Sequence, residues 1–396
     1  MKKLLVKNIG LLATPEGRSA HRGEEQGKIK FLKDAWVLIE DGIIASVGTG
    51  AVPAVEGAEV VDAEGHLVTP GLVDAHTHLI FGGWRQNELG LKLHGASYLD
   101  IQNAGGGIQS TTNATRQASE QELAAKASKA LDEMMGFGTT TVEAKSGYGL
   151  ATEHELKALE VIKDLNDHHR MDLVATFMGA HLVPAEYKSN REEYVRLVCE
   201  EMMPKVKEQG IAKFCDVFCE ADTFTVEESR QVLEAGLKYG LRPKIHAGEI
   251  GAISAEHLIV CPPEGITSMA KGGVIACLLP ATSFNLGAVF APARDMVKAG
   301  VPVAMATDFN PGSCPCLNMQ FVINLGCLKY KLTPEEVLTA VTLNGAAAID
   351  LADKVGSVEE GKLGDLVIWD APDLDYICYR VGSNLAKTVI KRGEIV

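Results

Sequence analysis

At 396 residues the chain is long enough for one large barrel and a smaller second domain. Hydrophobic residues at 46% and charged residues at 23% describe a globular protein rather than a disordered one. The net charge of −14 argues against nucleic acid as a partner, and no apolar run reaches the roughly eighteen residues of a membrane span.

The start, M-K-K-L-L-V-K-N, is basic and apolar, but Lys7 and Asn8 interrupt it and no small-residue cleavage site follows. No signal peptide is expected. Nine cysteines without a C-x-x-C pair read as reduced thiols in a cytoplasm. Cys314 and Cys316 are spaced too closely for a usual structural zinc pair.

Leu4 to Leu12 reads as a strand. Trp36 to Val47 reads as a hairpin around an Asp41-Gly42 turn. The C-terminal end is also β-rich, with strands at 364–369 and 387–396. Both termini, residues 1–66 and 356–396, are therefore expected to build one small β-sandwich domain. Between them, over residues 67–355, strands and helices alternate. Ser119 caps a helix to Met135, and strands are expected at 139–144, 173–179, 213–219, 243–246, 274–279 and 301–306. Helices fall at 152–168, at 192–208 with a break at Pro204, at 226–239, and from Thr333 into Asn344. Repeated strand–helix units predict an α/β fold, a (β/α)8 TIM-like barrel.

The polar residues sit where such a barrel keeps its chemistry, at the C-terminal ends of strands. His76 and His78 end the apolar run after Pro70-Gly71 and share one side of a strand. An H-x-H pair alone is a weak signal, since two surface histidines read the same way. A buried strand delivering it favours a metal site. His246 follows the strand at 243–246 and is a candidate third ligand, against the plainer reading of a satisfied core histidine. Asp308 either caps the next helix or holds a metal and orients its water, and the second reading is preferred. Glu249, three residues after His246, is a salt-bridge residue or a general base. Arg85 suits a carboxylate. Tyr98 and Tyr148 are packing residues or hydroxyls for a polar substrate. Lys145 is a ligand only if carboxylated, and is expected to be a supporting cation instead. His21, His66, His94, His154, His168 and His169 read as surface residues.

Six stretches carry a resemblance: H-T-H-L-I-F-G-G-W-R-Q-N-E, G-A-S-Y-L-D-I-Q-N-A-G-G-G-I, V-E-A-K-S-G-Y-G-L, F-M-G-A-H-L-V-P, D-V-F-C-E and A-T-D-F-N-P-G-S. Together they resemble the amidohydrolase superfamily of metal-dependent hydrolases and, within it, the imidazolonepropionase family. The resemblance implies the third step of histidine breakdown, hydrolysis of 4-imidazolone-5-propanoate to N-formimidoyl-L-glutamate. By position, His76, His78, His246 and Asp308 resemble the ligands of one divalent zinc or iron ion. Arg85, Tyr98, Tyr148, His181, Asn310, Gly312 and Ser313 resemble substrate-binding residues. Glu249 and His257 resemble the residues that handle the nucleophilic water and the polarised carbonyl. A homodimer is a further expectation of the family. The rival readings are a related cyclic-amidine or nucleobase aminohydrolase, and a catalytically impaired ligand-binding homologue.

Two features depart from that pattern. Gly248 stands where an acidic residue is usual, giving H-A-G-E. Only Ile250 to Glu256 separate Glu249 from His257, where the family has a helix and where a parallel crossover needs roughly a dozen residues. Either one barrel helix is missing or a segment is omitted from the chain. If it is missing, His246, Glu249 and His257 stand to be misplaced.

Overall fold

The computed structural model describes residues 2–95, 100, 105–220, 223–245 and 252–396. Among the described residues, sixteen strands form two sheets of eight.

The first sheet joins both ends of the chain. Strand β1 (Lys3–Thr14) pairs antiparallel with β2 (Lys30–Glu40), which pairs with β3 (Ile43–Thr49) across the expected Asp41-Gly42 turn. β1 shifts register between Val6 and Ile9, and the shift lets it serve two neighbours. Its first half pairs with β4 (Glu59–Asp62) and its second with β5 (Leu67–Pro70), both in parallel. Beyond β5 come β14 (Leu366–Trp369), β15 (Ala386–Lys391) and β16 (Glu394–Ile395). Leu4, Val37, Val68, Leu366 and Ile390 from five of these strands pack into one apolar cluster, so the sheet folds over a core of its own.

The second sheet is the barrel. In order it holds β6 (Leu72–Thr77), β7 (Thr139–Lys145), β8 (Asp172–Ala180), β9 (Phe214–Val217), β10 (Arg242–Ile245), β11 (Ser254–Glu256), β12 (Ile275–Leu278) and β13 (Val303–Met305). All seven pairings are parallel. The ring is drawn together between its first and last strands by a bridge from Thr77 to Phe309. Asp74 reinforces that seam. Its carboxylate accepts the backbone N–H of Thr307 at 3.0 Å and the Thr307 hydroxyl at 2.6 Å. Burial pushes Asp74 up to about 7, against the pull of those hydrogen bonds.

Helices cover the barrel where their start signals predicted. Ser119 with Glu122, Thr225 with Glu228 and Thr333 with Glu336 each form a reciprocal capping box. The helix at 192–208 is interrupted just ahead of Pro204, close to the expected break, by a π-helical turn over Leu197–Met202. Proline lacks an N–H and its ring crowds the carbonyl four residues back, so the preceding turn widens. The helix from Thr333 ends at Val341 and restarts at Leu343, because Thr342 adopts φ −128° and ψ −91°.

The barrel interior is charged. Lys145 Nζ lies 2.7 Å from Glu143 and 2.8 Å from Asp216. Lys244 Nζ lies 3.5 Å from Glu256 and 3.9 Å from Glu143. All five side chains are fully buried. Removing either lysine would strand uncompensated carboxylates out of water, at several kcal/mol. Burial alone would discharge Lys145, but Asp216, Glu143 and Glu256 hold its ammonium on.

Candidate metal-dependent active site

Strand β6 ends by presenting His76 and His78, with ring centroids 5.4 Å apart. The backbone laces this end to the segment after β13: Asp308 N–H donates to the His76 carbonyl at 3.1 Å, and His78 N–H to the Phe309 carbonyl at 2.8 Å. Asp308 takes a left-handed backbone, φ 57°, a strained conformation that aspartate tolerates better than most. Its carboxylate thereby faces the histidines. Oδ1 is 3.5 Å from His76 Nε2 and 3.6 Å from His78 Nε2. Oδ2 accepts the Thr282 hydroxyl at 2.6 Å and lies 4.0 Å from His257 Nε2. Asp308 caps no helix; the next one, Met319–Leu328, is capped by Asn318.

His257 follows β11, also left-handed at φ 64°, and its ring centroid is 5.7 Å from that of His76. One ligand atom each from His76, His257 and Asp308 lies within 4.8 Å of the others. Ligands of one tetrahedral ion, bound at 2.0–2.2 Å, stand about 3.5 Å apart, so this nitrogen and oxygen set fits a divalent metal. His257 thus lies among the ligand-type atoms rather than apart from them. His246, Glu249 and Tyr98 fall outside the described residues.

Beneath the cluster, Glu256 Oε2 lies 2.8 Å from His76 Nδ1. A carboxylate only accepts, so Nδ1 carries the proton and Nε2 turns its lone pair to the site. The other oxygen, Oε1, accepts the Ser254 hydroxyl at 2.5 Å and faces Lys244. Replacing Glu256 by Gln is expected to weaken metal binding about 10- to 100-fold, read by competition with a chelator. Unchanged affinity would show that His76 needs no orienting partner.

The walls follow from the neighbouring strand ends. His181, after β8, stacks on His78 at 4.8 Å and 19°. Its Nδ1 donates to the Gly147 carbonyl at 2.8 Å. The Tyr148 ring lies 5.1 Å from His181 and 5.8 Å from His78. Arg85 is buried against the loop after Asp308, with Nε 3.8 Å from Glu88 and no hydrogen-bond partner at Nε or Nη1 among the described residues. Its guanidinium lies across Gly312, where an added Cβ would come 1.2 Å from Nη2. Only glycine leaves that space. Asn310 spends its amide on the loop itself: Oδ1 accepts the N–H groups of Gly312 at 2.9 Å and Ser313 at 2.8 Å, and Nδ2 donates to the Asp308 carbonyl at 2.7 Å. Phe81, Trp84 and Phe309 pack together nearby, Trp84 meeting the other two edge to face.

Models of the amidohydrolase family match residues 59–104 and 243–396. An imidazolonepropionase from Alkaliphilus metalliredigens is 50% identical, spanning 100% of this chain and 98% of its own length. One from Brevibacillus brevis is 49% identical over the same shares. The chain belongs to the imidazolonepropionase family of amidohydrolases. It is a hydrolase of a cyclic-amide C–N bond, acting on a small molecule. The atrazine chlorohydrolase TrzN from Arthrobacter aurescens, solved with zinc, superposes with a TM-score of 0.75 at 18% identity, covering 99% of this chain and 94% of its own. That likeness shows the fold. A divalent metal is the cofactor class for such a site. No helix among the described residues is long and apolar enough to cross a membrane.

The family comparison also bears on the short segment. The match to the Alkaliphilus relative runs over 414 aligned positions, so at least 18 of them have no counterpart in the 396 residues here. In the structure β10 and β11 are direct neighbours, with Lys244 paired to Ser254, and eight residues, 246–253, join them. A helical crossover does not fit in eight residues. His257 nevertheless reaches the cluster, so the shortening has not displaced it.

Proposed function

We propose that this chain hydrolyses 4-imidazolone-5-propanoate to N-formimidoyl-L-glutamate, with one zinc or iron ion per chain held by His76, His78, His246 and Asp308. One observation carries the reading: the loop that leaves Asp308, a member of the His76, His257 and Asp308 cluster, reaches within four residues Gly312, across which the buried guanidinium of Arg85 lies. A metal site beside an anion site suits a cyclic amide bearing a carboxylate.

A divalent ion held there supplies a Lewis acid and brings the pKa of a water from about 15.7 toward about 7. The chain does the rest. Arg85 binds the propanoate and fixes the ring's distance from Asp308. Tyr148 and His181 hold the ring's polar edge. Asp308 takes the proton of the attacking water at its carboxylate, while Thr282 keeps Oδ2 in place. His257 stabilises the oxyanion that forms at the ring carbonyl. Glu249 gives a proton to the ring nitrogen as the C–N bond breaks. Asn310 and Ser313 shape the loop on which Gly312 receives Arg85. The enzyme we propose is a cytoplasmic homodimer, with a small β domain from 1–66 and 356–396 beside a barrel of 67–355. A sedimentation run showing only monomer removes the dimer.

Metal-loaded protein is expected to consume 4-imidazolone-5-propanoate faster than it decays in buffer. Decay at the buffer rate would reject the reading. Ammonia release from a nucleobase would replace it with an aminohydrolase, and tight binding without turnover with a ligand-binding protein.

A further inference from the structure

The loop Ser146–Leu150 carries Tyr148 and, at the Gly147 carbonyl, receives His181. The loop is gripped from both sides. Below it, the Glu155 carboxylate is fully buried in the first turn of the helix Thr152–His168. It accepts the backbone N–H groups of Gly147 at 2.9 Å, Gly149 at 2.8 Å and Leu150 at 2.8 Å. The Ser146 hydroxyl bonds to it as well, and in turn accepts the Met178 N–H at 2.9 Å. Arg116 takes the carbonyls of two of the same residues. Its Nε donates to the Gly149 carbonyl at 2.7 Å and its Nη2 to the Leu150 carbonyl at 3.0 Å. Glu186 steadies the guanidinium at 2.7 Å.

The gripped backbone is one that chains seldom hold unaided. Gly147 has φ 101°, and Leu150, a non-glycine, has φ 50°. Gly147 is where the grip reaches the site: its N–H goes to Glu155, and its carbonyl receives His181 Nδ1. That bond fixes which His181 nitrogen carries the proton and how the ring stacks on His78. Glu155 therefore bears on both Tyr148 and His181 without touching either.

We propose that Glu155 and Arg116 are positioning residues for substrate binding, a two-sided clamp on the 146–150 loop that sets the orientation of Tyr148 and the tautomer of His181. This rests on the reading of those two residues as substrate-binding. A buried carboxylate that only filled space would need no alignment with three N–H groups of one five-residue loop. The half-buried Arg116 would need no match to the carbonyls of two of the same residues.

The test is a double-mutant cycle on the metal-loaded enzyme. Glu155→Gln keeps the shape but sets an amide N–H against the Gly147 N–H. It is expected to raise KM about tenfold, with kcat within about threefold and metal content unchanged. His181→Ala is expected to raise KM too, and the double variant to lose clearly less than the two single losses combined, because part of the Glu155 effect passes through His181. An unchanged KM in Glu155→Gln, or an effect that adds in full to His181→Ala, overturns the proposal. If Glu155→Gln does not fold, Arg116→Lys takes its place in the same cycle with the same expectation. If His181→Ala leaves KM unchanged, the substrate-binding reading of His181 is what fails. The clamp then stands or falls on non-additivity between Glu155→Gln and Tyr148→Phe.

Discussion

Replacing Asp308 by Asn is expected to lower kcat/KM by about a thousandfold, roughly 4 kcal/mol of transition-state stabilisation, in protein that folds normally. The size follows from two losses at one atom set. The amide ligates a divalent cation far more weakly than a carboxylate, and it no longer accepts the water's proton. The fold should survive, because Asn tolerates the left-handed φ of 57° nearly as well as Asp. Thr282, 2.6 Å from Oδ2, keeps a partner in the amide oxygen. Steady-state kinetics with metal analysis of the variant separates the two losses. If metal content stays near that of the parent while kcat collapses, proton transfer carries the effect. Activity within tenfold of the parent would contradict the central place given to Asp308.

Arg85→Met is the second large effect. A substrate carboxylate brought into the buried pocket then finds no counter-charge, and truncating one side of such a pair costs 2 to 5 kcal/mol. We expect kcat/KM to fall about a hundredfold, mostly through KM, with metal binding intact. Gly312→Ala tests the same contact from the other side. The new methyl would stand 1.2 Å from the present position of Arg85 Nη2, so the guanidinium must swing away. Its loss should resemble that of Arg85→Met in kind, be smaller, and vanish in the Arg85→Met background. A full additional loss there would mean that Gly312 acts on the substrate independently of Arg85.

Much of this was readable one residue type at a time. A Pro-Gly mark, an apolar run and H-x-H located β6 and its two imidazoles, because the alternation of a strand is written in the sequence. Helix starts were legible for the same local reason: Ser119 and Thr333 announce their own caps. Counting residues between Glu249 and His257 also revealed that a crossover helix could not fit. What stayed hidden depends on adjacency around the ring. Glu256 lies 180 residues from His76, and nothing local says that β11 would bring its carboxylate under that imidazole. Lys145 read as a supporting cation and Lys244 drew no reading; only the barrel pairs them with Glu143, Asp216 and Glu256. Gly312 entered only as a position resembling a substrate-binding residue; the structure shows its missing side chain making room for Arg85. Glu155 drew no attention, since a glutamate in a helix's first turn usually needs no further explanation.

The most direct measurement takes one preparation and reads two quantities from it: bound metal per chain, and N-formimidoyl-L-glutamate formed from 4-imidazolone-5-propanoate. About one divalent ion per chain together with product is the predicted result. It would mean that a barrel joining β10 to β11 through eight residues still assembles a working site. One ion per chain without product, under conditions where a relative such as the Alkaliphilus protein turns over, would contradict the account.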